Sequence, residues 1–306
     1  MSGGTVSIEF ENRVAIVTGA GGGLGAEHAK LLASRGASVV VNDLGGAVDG
    51  QGASSAAADG VVAEIVAAGG VAVAEYSSVA SPEGGAAVVT KALEEFGRVD
   101  VLVNNAGILR DSSFAKMEPD EIETVLAVHL LGAFHVTRPA FVKMKDQGYG
   151  RIILTSSASG LLGHYGQSNY GAAKAGLIGL MNVLKLEGAK YGVKVNAIAP
   201  IALTRMTQGL FGEAMESFAP EAVSPAVAYL ASEVCEVSGD VWSVGGGQVS
   251  RFFIALGDGY FKHPDSGMIT PEDIAANLGT VRSEDGYIVP YSSQDEFAKL
   301  GPRLLG

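Results

Sequence analysis

From Arg13 to Val244, short apolar runs alternate with longer stretches whose apolar residues recur every three to four positions, the pattern of repeated strand and helix units. The runs RVAIVT, ASVVVN, VAVAEY, VDVLVN, GRIILT, VKVNAI and VWSV are strand candidates, and several are apolar at nearly every position. A strand with one wet face alternates, whereas a strand covered by helices on both faces does not. Residues 24–35, 54–68, 82–96, 119–145 and 167–191 have helical length and period. Right-handed crossovers between such units predict an α/β, Rossmann-like doubly wound sheet of about seven parallel strands, with helices on both faces. Residues 44–53 are glycine-rich and longer than the usual connection of about 2–6 residues, which predicts a surface loop.

After Gly247 the alternation stops. One helix start stands out there, TPEDIAANL, in which Thr270 can cap, Pro271 suits the first helical position and acidic residues follow in the first turn. The expected organisation is a sheet domain over residues 1–250 and a carboxyl-terminal extension over 251–306, packed on that domain or on a neighbouring subunit. The helical stretches 119–145 and 167–191 carry apolar residues on more than one face. A second buried surface, and hence a homo-oligomer, is expected.

Composition narrows the function classes. Of the 306 residues 47% are hydrophobic and 18% charged, with 43 glycines, so the chain is globular and neither disordered nor fibrous. A net charge of −12 argues against nucleic acid or an anionic membrane as a partner, since a phosphate surface needs clustered Lys and Arg. Cys235 is the sole cysteine, which excludes an intrachain disulfide and a cysteine-built metal site and fits a reducing compartment. No signal-like amino terminus and no apolar run of roughly 20 residues is present, and the chain ends in LLG, not SKL. The expectation is a cytoplasmic protein with no membrane and no metal.

The first strand runs into TGAGGGLG, residues 18–25, and then into an amphipathic helix. Glycines there let the backbone approach a pyrophosphate, which the free N–H groups at the helix start can hold. The second strand ends in VVVND, placing Asp43 where its carboxylate can accept from two ribose hydroxyls and repel a 2′-phosphate. No Lys or Arg lies in residues 19–27, so NAD is favoured over NADP. At the end of the fourth strand, NNAG brings Asn105, Ala106 and Gly107 to the same edge.

ILTSSASG followed by NYGAAK carries the candidate chemistry. Tyr170 and Lys174 are four residues apart and share a helix face. A phenol with pKa near 10 needs lowering by about 3 units, or about 4 kcal/mol, to act as a base near neutrality. An ammonium roughly 5 Å away contributes on the order of 3 kcal/mol at an effective dielectric of about 20, and a nicotinamide cation adds to it. Tyr170 is therefore the expected base taking a hydroxyl proton as hydride leaves carbon, with Ser157 bonded to the substrate oxygen and Lys174 also reaching the nicotinamide ribose.

TGxxxGxG, NNAG, Ser157 with YxxxK, and AP-x-x-x-T ending at Thr204 together resemble the short-chain dehydrogenase/reductase family over roughly residues 14–247. VVVNDLGG, NNAGILRD, TSSASG and RMTQ are similar to the (3R)-hydroxyacyl-CoA dehydrogenase region of the peroxisomal type 2 multifunctional enzymes, also known as 17β-hydroxysteroid dehydrogenases. The resemblance implies Gly19, Gly23, Leu24 and Gly25 at the pyrophosphate, Asp43 at the adenosine ribose, Ser78 near the adenine, Asn105 beside the cofactor and Thr204 near the carboxamide. It makes a homodimer the first expectation. His129, in VHLLG, stands where the wider family has an Asn in a proton relay, and Ser77 stands where an acidic residue is common. A packed helix histidine fits His129 equally well.

The reaction so implied is oxidation of a (3R)-3-hydroxyacyl-CoA, with any hydratase a separate protein. Coenzyme A is anionic, so Arg110, Arg205 or Lys262 would have to form a local basic site, whereas a free 17β-hydroxysteroid needs none. A dinucleotide-sensing protein without chemistry is the reading from another class. His164 and Tyr165 precede Tyr170 and are candidates to line a substrate pocket.

Overall fold

The computed structural model describes residues 7–203 and 218–305. The chain divides into two compact units, Met1–Arg251 and Phe252–Gly306.

In the first unit, β1 (Val14–Thr18) leads through α1 (Gly23–Ser34) to β2 (Ser38–Asn42), and α2 (Ala56–Ala67) leads to β3 (Val71–Glu75). Then come α3 (Pro82–Phe96), β4 (Val101–Asn104), α4 (Pro119–Leu126), α5 (Gly132–Gln147) and β5 (Gly150–Thr155). The series ends with α6 (Ala158–Leu162), α7 (Ser168–Gly188), β6 (Val193–Pro200), α8 (Ser224–Ala231), β7 (Val241–Gly245) and β8 (Gln248–Phe252). Among the described residues the sheet order is β3-β2-β1-β4-β5-β6-β7-β8. The pairs among β1 to β7 are parallel.

Seven parallel strands match the expectation from the apolar runs; β8 is an addition. It follows β7 after Gly246 and Gly247, both at positive φ (56° and 79°), the backbone that a tight two-residue hairpin turn requires. Its burial is mostly exposed, so it lacked the continuous apolar run that marked the other strands.

β1, β2, β4 and β5 are buried at almost every residue, which is why they read as unbroken Val/Ile runs. Helices α1, α2 and α8 cover one face and α3, α5 and α7 the other. Local chemistry sets the helix ends. Ser81 caps α3 by accepting from Gly84 N ahead of Pro82, and Gly97 in the left-handed region ends it. The 119–145 stretch is one run, α4 and α5 joined by a π-helical turn at Ala127–Leu131. By length and composition Pro119–Gln147 is apolar enough to cross a membrane. Its buried residues, among them Val125, Val136, Ala140 and Met144, pack instead against the sheet and against α3 and α7.

The topology fixes where a ligand goes. β1 pairs with β2 on one side and β4 on the other, so the chain reverses its winding there and opens a crevice beyond the carboxyl ends of the strands. At the opposite end the fully buried Asp100 carboxylate accepts from Val14 N (2.9 Å), Arg13 Nη1 (3.1 Å) and Arg98 Nε and Nη2 (2.7 Å each).

The second unit holds α9 (Pro271–Ala276), α10 (Leu278–Val281) and α11 (Ser293–Leu305). Thr270 caps α9 as expected, its hydroxyl accepting from Asp273 N while Asp273 accepts from Thr270 N. Lys262 pairs with Asp273 (2.7 Å), and Arg303 and Lys299 both reach Asp258. An antiparallel bridge joins Leu256 to Ile288.

Replacing Asp100 with Ala leaves two guanidinium groups and a strand N–H without their shared acceptor. A loss of about 3 kcal/mol in unfolding free energy is expected, measured by urea denaturation at pH 7.

Candidate active site

Glycine geometry at the end of β1 is set by contact, not only by flexibility. A Cβ on Gly25 would lie 2.3 Å from Gly19 O and 2.6 Å from Asn105 Nδ2, and one on Gly19, at φ +64°, would lie 2.6 Å from Ala106 Cα. Thr18, not singled out by sequence reasoning, ties this turn to β4: its Oγ1 accepts from Asn105 N (3.0 Å) and Ala106 N (3.1 Å). Asn105 Nδ2 donates back to Thr18 O (3.1 Å) and Gly19 O (3.0 Å). The result is a glycine cradle held rigidly against the start of α1.

Asp43 Oδ2 accepts from Gly21 N (2.8 Å) and Oδ1 from Gly45 N (2.6 Å). A carboxylate offers about four lone-pair sites, so this structural duty still leaves acceptors for ribose hydroxyls. A cavity of about 330 Å³ opens here. Gly19, Gly23, Leu24, Asp43, Ser78, Asn105, Ala106 and Gly107 all line it, and among the described residues no Lys or Arg does. The residues present therefore fit a dinucleotide: glycines at the helix start, an acceptor carboxylate at the second strand and otherwise uncharged described walls. Gly25 stands behind the wall as the close-packing glycine. Thr204 and Arg205 lie outside the described residues.

The stretch 44–53 is the surface loop expected, exposed or half-exposed throughout, and Gly46, Ala47, Val48 and Gly50 also form part of the cavity wall. The loop is fastened to the segment after β4 by Leu109 N donating to Val48 O (2.9 Å) and Arg110 Nε donating to Asp49 O (3.0 Å). Two distant segments thus close over the cradle, which no local sequence pattern reveals.

Ser157, Tyr170 and Lys174 come together as the spacing requires. Ser157 caps α6, its Oγ accepting from Ser159 N (3.1 Å), and its side chain acts on the Tyr170 phenol, drawing it down. Lys174 Nζ lies 5.5 Å from the centroid of the Tyr170 ring and donates to Thr155 O at the end of β5. Tyr170 packs on a small cluster of Ile108, Val125 and Ala173.

The expected electrostatics differ from those found. Burial raises the Tyr170 phenol; the Ser157 hydrogen bond lowers it and the Asp111 carboxylate raises it further. Lys174 is itself pulled down by burial, from 10.5 to about 7. The simple screened-charge argument left out desolvation, which acts on both members of the pair. The protein alone therefore does not make Tyr170 acidic. A bound nicotinamide cation would supply the missing positive charge.

His129 sits on the π-helical turn, edge-on to Tyr170 with ring centroids 5.1 Å apart. Its Nε2 bonds to the Ile108 backbone, 3.0 Å from N and 2.8 Å from O. A Cβ on Gly107 would lie 2.3 Å from His129 Cε1. Burial first, then the nearby Lys174 charge, hold the imidazole well below 6.5, so it is neutral near physiological pH. His129 Nδ1 is buried without a partner among the described residues, and a hole of about 10 Å³ lined by His129, Lys174, Thr18 and Asn104 among others adjoins it. His164 and Tyr165 are exposed, with Tyr165 at 88%.

Asn169 escaped the sequence reading although it is buried beside Tyr170. Its Nδ2 donates to Arg110 O (2.9 Å) and Glu121 O (3.0 Å), and its Oδ1 accepts from Tyr170 N (2.7 Å). Its neighbour Tyr170 carried the recognisable signal, and the acceptors of Asn169 are backbone atoms some fifty residues away.

A family model for short chain dehydrogenases matches residues 13–213. The chain belongs to that family, and it is an oxidoreductase acting on CH–OH donors. Short-chain dehydrogenases use a nicotinamide dinucleotide. The chain is 52% identical over 278 residues to a short-chain type dehydrogenase/reductase of Mycobacterium tuberculosis, covering 90% of this chain and 96% of the other. It is 38% identical over 262 residues to a hydroxyacyl-CoA dehydrogenase of the same organism, covering 80% and 81%. The structure of full-length peroxisomal multifunctional enzyme type 2 from Drosophila melanogaster matches with a TM-score of 0.82 and 38% identity, over 97% of this chain and 50% of that one. The chain thus spans about half the length of that multifunctional enzyme.

Burial of Lys174 has a signed consequence for stability. Between about pH 7 and pH 10.5 the unfolded chain binds a proton that the folded amine refuses, so stability rises with pH across that window. Lys174→Met is expected to remove this slope, a difference of about 5 kcal/mol at most, read by chemical denaturation across the window.

Proposed function

We propose that the chain oxidises a (3R)-3-hydroxyacyl-CoA to the 3-ketoacyl-CoA with NAD as hydride acceptor. The observation that carries this reading is Tyr170 with Lys174 Nζ 5.5 Å from its ring and Ser157 at the cap of α6, beside a cavity whose described lining holds glycines and Asp43 and no cation. Similarity to the hydroxyacyl-CoA dehydrogenase and to the type 2 multifunctional enzyme supports the substrate class. Ser157 Oγ already accepts from Ser159 N, so its own hydrogen can donate to the substrate oxygen. Tyr170 takes the hydroxyl proton, and a nicotinamide held by the cavity residues would supply the acceptor for the hydride of the carbinol carbon. Lys174, held by Thr155 O, stands behind the phenol. Neutral His129 props both the Tyr170 ring and the Gly107–Ile108 turn, and it is a positioning group in this scheme. Asp43 sets the preference for NAD, because its carboxylate repels a 2′-phosphate and no cation among the described wall residues offsets it.

One observation favours a second substrate. Two of the cations considered for coenzyme A are already engaged, Arg110 with Asp120 (2.9 Å) and Lys262 with Asp273 (2.7 Å). A neutral 17β-hydroxysteroid needs no such partner. A homodimer fits the exposed stripe Leu131, Phe134 and Val142 along the α4–α5 run and the exposed Val183 and Leu186 of α7.

The test compares NAD and NADP reduction with (3R)-hydroxyacyl-CoA thioesters and free hydroxysteroids. NADH formation on the thioesters is expected, and Tyr170→Phe should retain NAD binding while kcat falls about 10²–10⁴-fold. Turnover confined to steroids would move the assignment to the second substrate, preference for NADP would refute the role of Asp43, and unchanged turnover in Tyr170→Phe would refute the base.

A further inference from the structure

We propose that Gln167 is a positioning residue for the reaction, holding Ser157 in place through Ser159 and itself held by Asp111. The inference rests on the dehydrogenase reading above. Three segments meet at this point: the connection between β4 and α4, which carries Asp111; α6, which carries Ser159 and is capped by Ser157; and the residue immediately before α7, which is Gln167.

The bonds form one continuous chain. Gln167 Nε2 donates to Asp111 Oδ2 (2.7 Å), Ser159 Oγ donates to Gln167 Oε1 (2.8 Å), and Ser159 N donates to Ser157 Oγ (3.1 Å). Its polarity is forced. A carboxylate only accepts, so the amide NH₂ must face Asp111 and the amide oxygen must face Ser159. Ser159 then spends its hydroxyl hydrogen on Gln167 and its backbone N–H on Ser157. That second bond fills one lone pair of Ser157 Oγ and leaves the Ser157 hydrogen for the substrate oxygen.

The backbone pins the same junction. Ser112 N donates to Gly166 O (2.9 Å), and Ser112 forms a parallel bridge with Gln167. Gln167 is also three residues before Tyr170, and Gly171 N donates to Gln167 O (2.7 Å), so the residue that steadies Ser157 also begins the helix bearing the base. Asp111, Gln167 and Ser159 lie outside the dinucleotide cavity wall. Their effect on the chemistry passes through Ser157, whose misplacement by a fraction of an ångström lowers the rate of the step, not the binding of the dinucleotide.

An amide bridges a carboxylate to a hydroxyl donor in this order and a second carboxylate cannot, which gives a reciprocal test. Gln167→Glu sets two carboxylates against each other. The double variant Asp111→Asn with Gln167→Glu restores the bridge, since the Asn amide donates to the new carboxylate, which still accepts from Ser159.

The experiment uses the full chain and whichever secondary alcohol the unaltered protein oxidises, so absence of turnover in that protein counts against the dehydrogenase reading and not against Gln167. Gln167→Ala and Gln167→Glu are expected to lower kcat by about tenfold or more with the NADH dissociation constant within about twofold, and the double variant to recover kcat to within about threefold. The proposal is overturned if kcat in Gln167→Ala stays within about twofold of the parent, if NADH affinity falls as far as kcat, or if the double variant is no more active than Gln167→Glu. Should Gln167→Ala fail to fold by circular dichroism, the comparison of Gln167→Glu with the double variant decides alone.

Discussion

A lysine amine buried at the end of β5, with a backbone carbonyl as its hydrogen-bond acceptor, is the constraint on which the site depends. Desolvation pulls Lys174 down to about 7 and pushes the neighbouring phenol up, so both members of the pair are poised against ionisation. Such a pair is a poor base by itself and a good one once a further positive charge arrives beside it. The arrangement links chemistry to cofactor occupancy: the proton acceptor is activated where and when the hydride acceptor is present.

The fold delivers that arrangement through strand ends. Thr18, Asn42, Asn104 and Thr155 close β1, β2, β4 and β5 at one end of the sheet, where Thr18 Oγ1 braces the segment after β4, Asn42 Nδ2 reaches Ser77 O after β3, Asn104 reaches α5 and the Thr155 carbonyl accepts from Lys174. Asn104 Nδ2 donates to Thr137 Oγ1 (2.9 Å), and Asn42 Nδ2 donates to Glu75 Oε2 (2.6 Å). Between these braces the glycines admit backbone to within contact distance of the ligand space. Beyond them the connection after β4 is tied to the 44–53 loop on one side and, through Asn169 and Gln167, to α7 on the other. Cofactor side and substrate side are therefore one connected structure.

Much of this was legible in the sequence where the signal is local. Fully buried parallel strands read as Val/Ile runs, and the period of the helices placed α1 and α3 within one residue, and α7 within three, of their observed ends. Ser157, Tyr170 and Lys174 were legible because a base needs its charge partner one helical turn away. What was not legible depends on distant segments meeting. The 44–53 loop became a cavity wall by bonding to residues 109 and 110, α6 and α8 are short, and β8 carries too few buried residues to announce itself. The upward push on Tyr170 was missed for a related reason, and no shift of Lys174 was read at all: burial is a property of the packed fold, and charge spacing along one helix does not contain it.

The central claim is that the Tyr170 phenol becomes acidic only in the presence of the dinucleotide. Ultraviolet difference spectroscopy of tyrosinate formation, titrated with and without NAD in the parent and in Tyr170→Phe, measures it directly. One equivalent of tyrosinate should ionise at a lower pH when NAD is bound, with that increment missing from Tyr170→Phe. Identical titrations with and without NAD, or an increment that survives in Tyr170→Phe, would contradict the account.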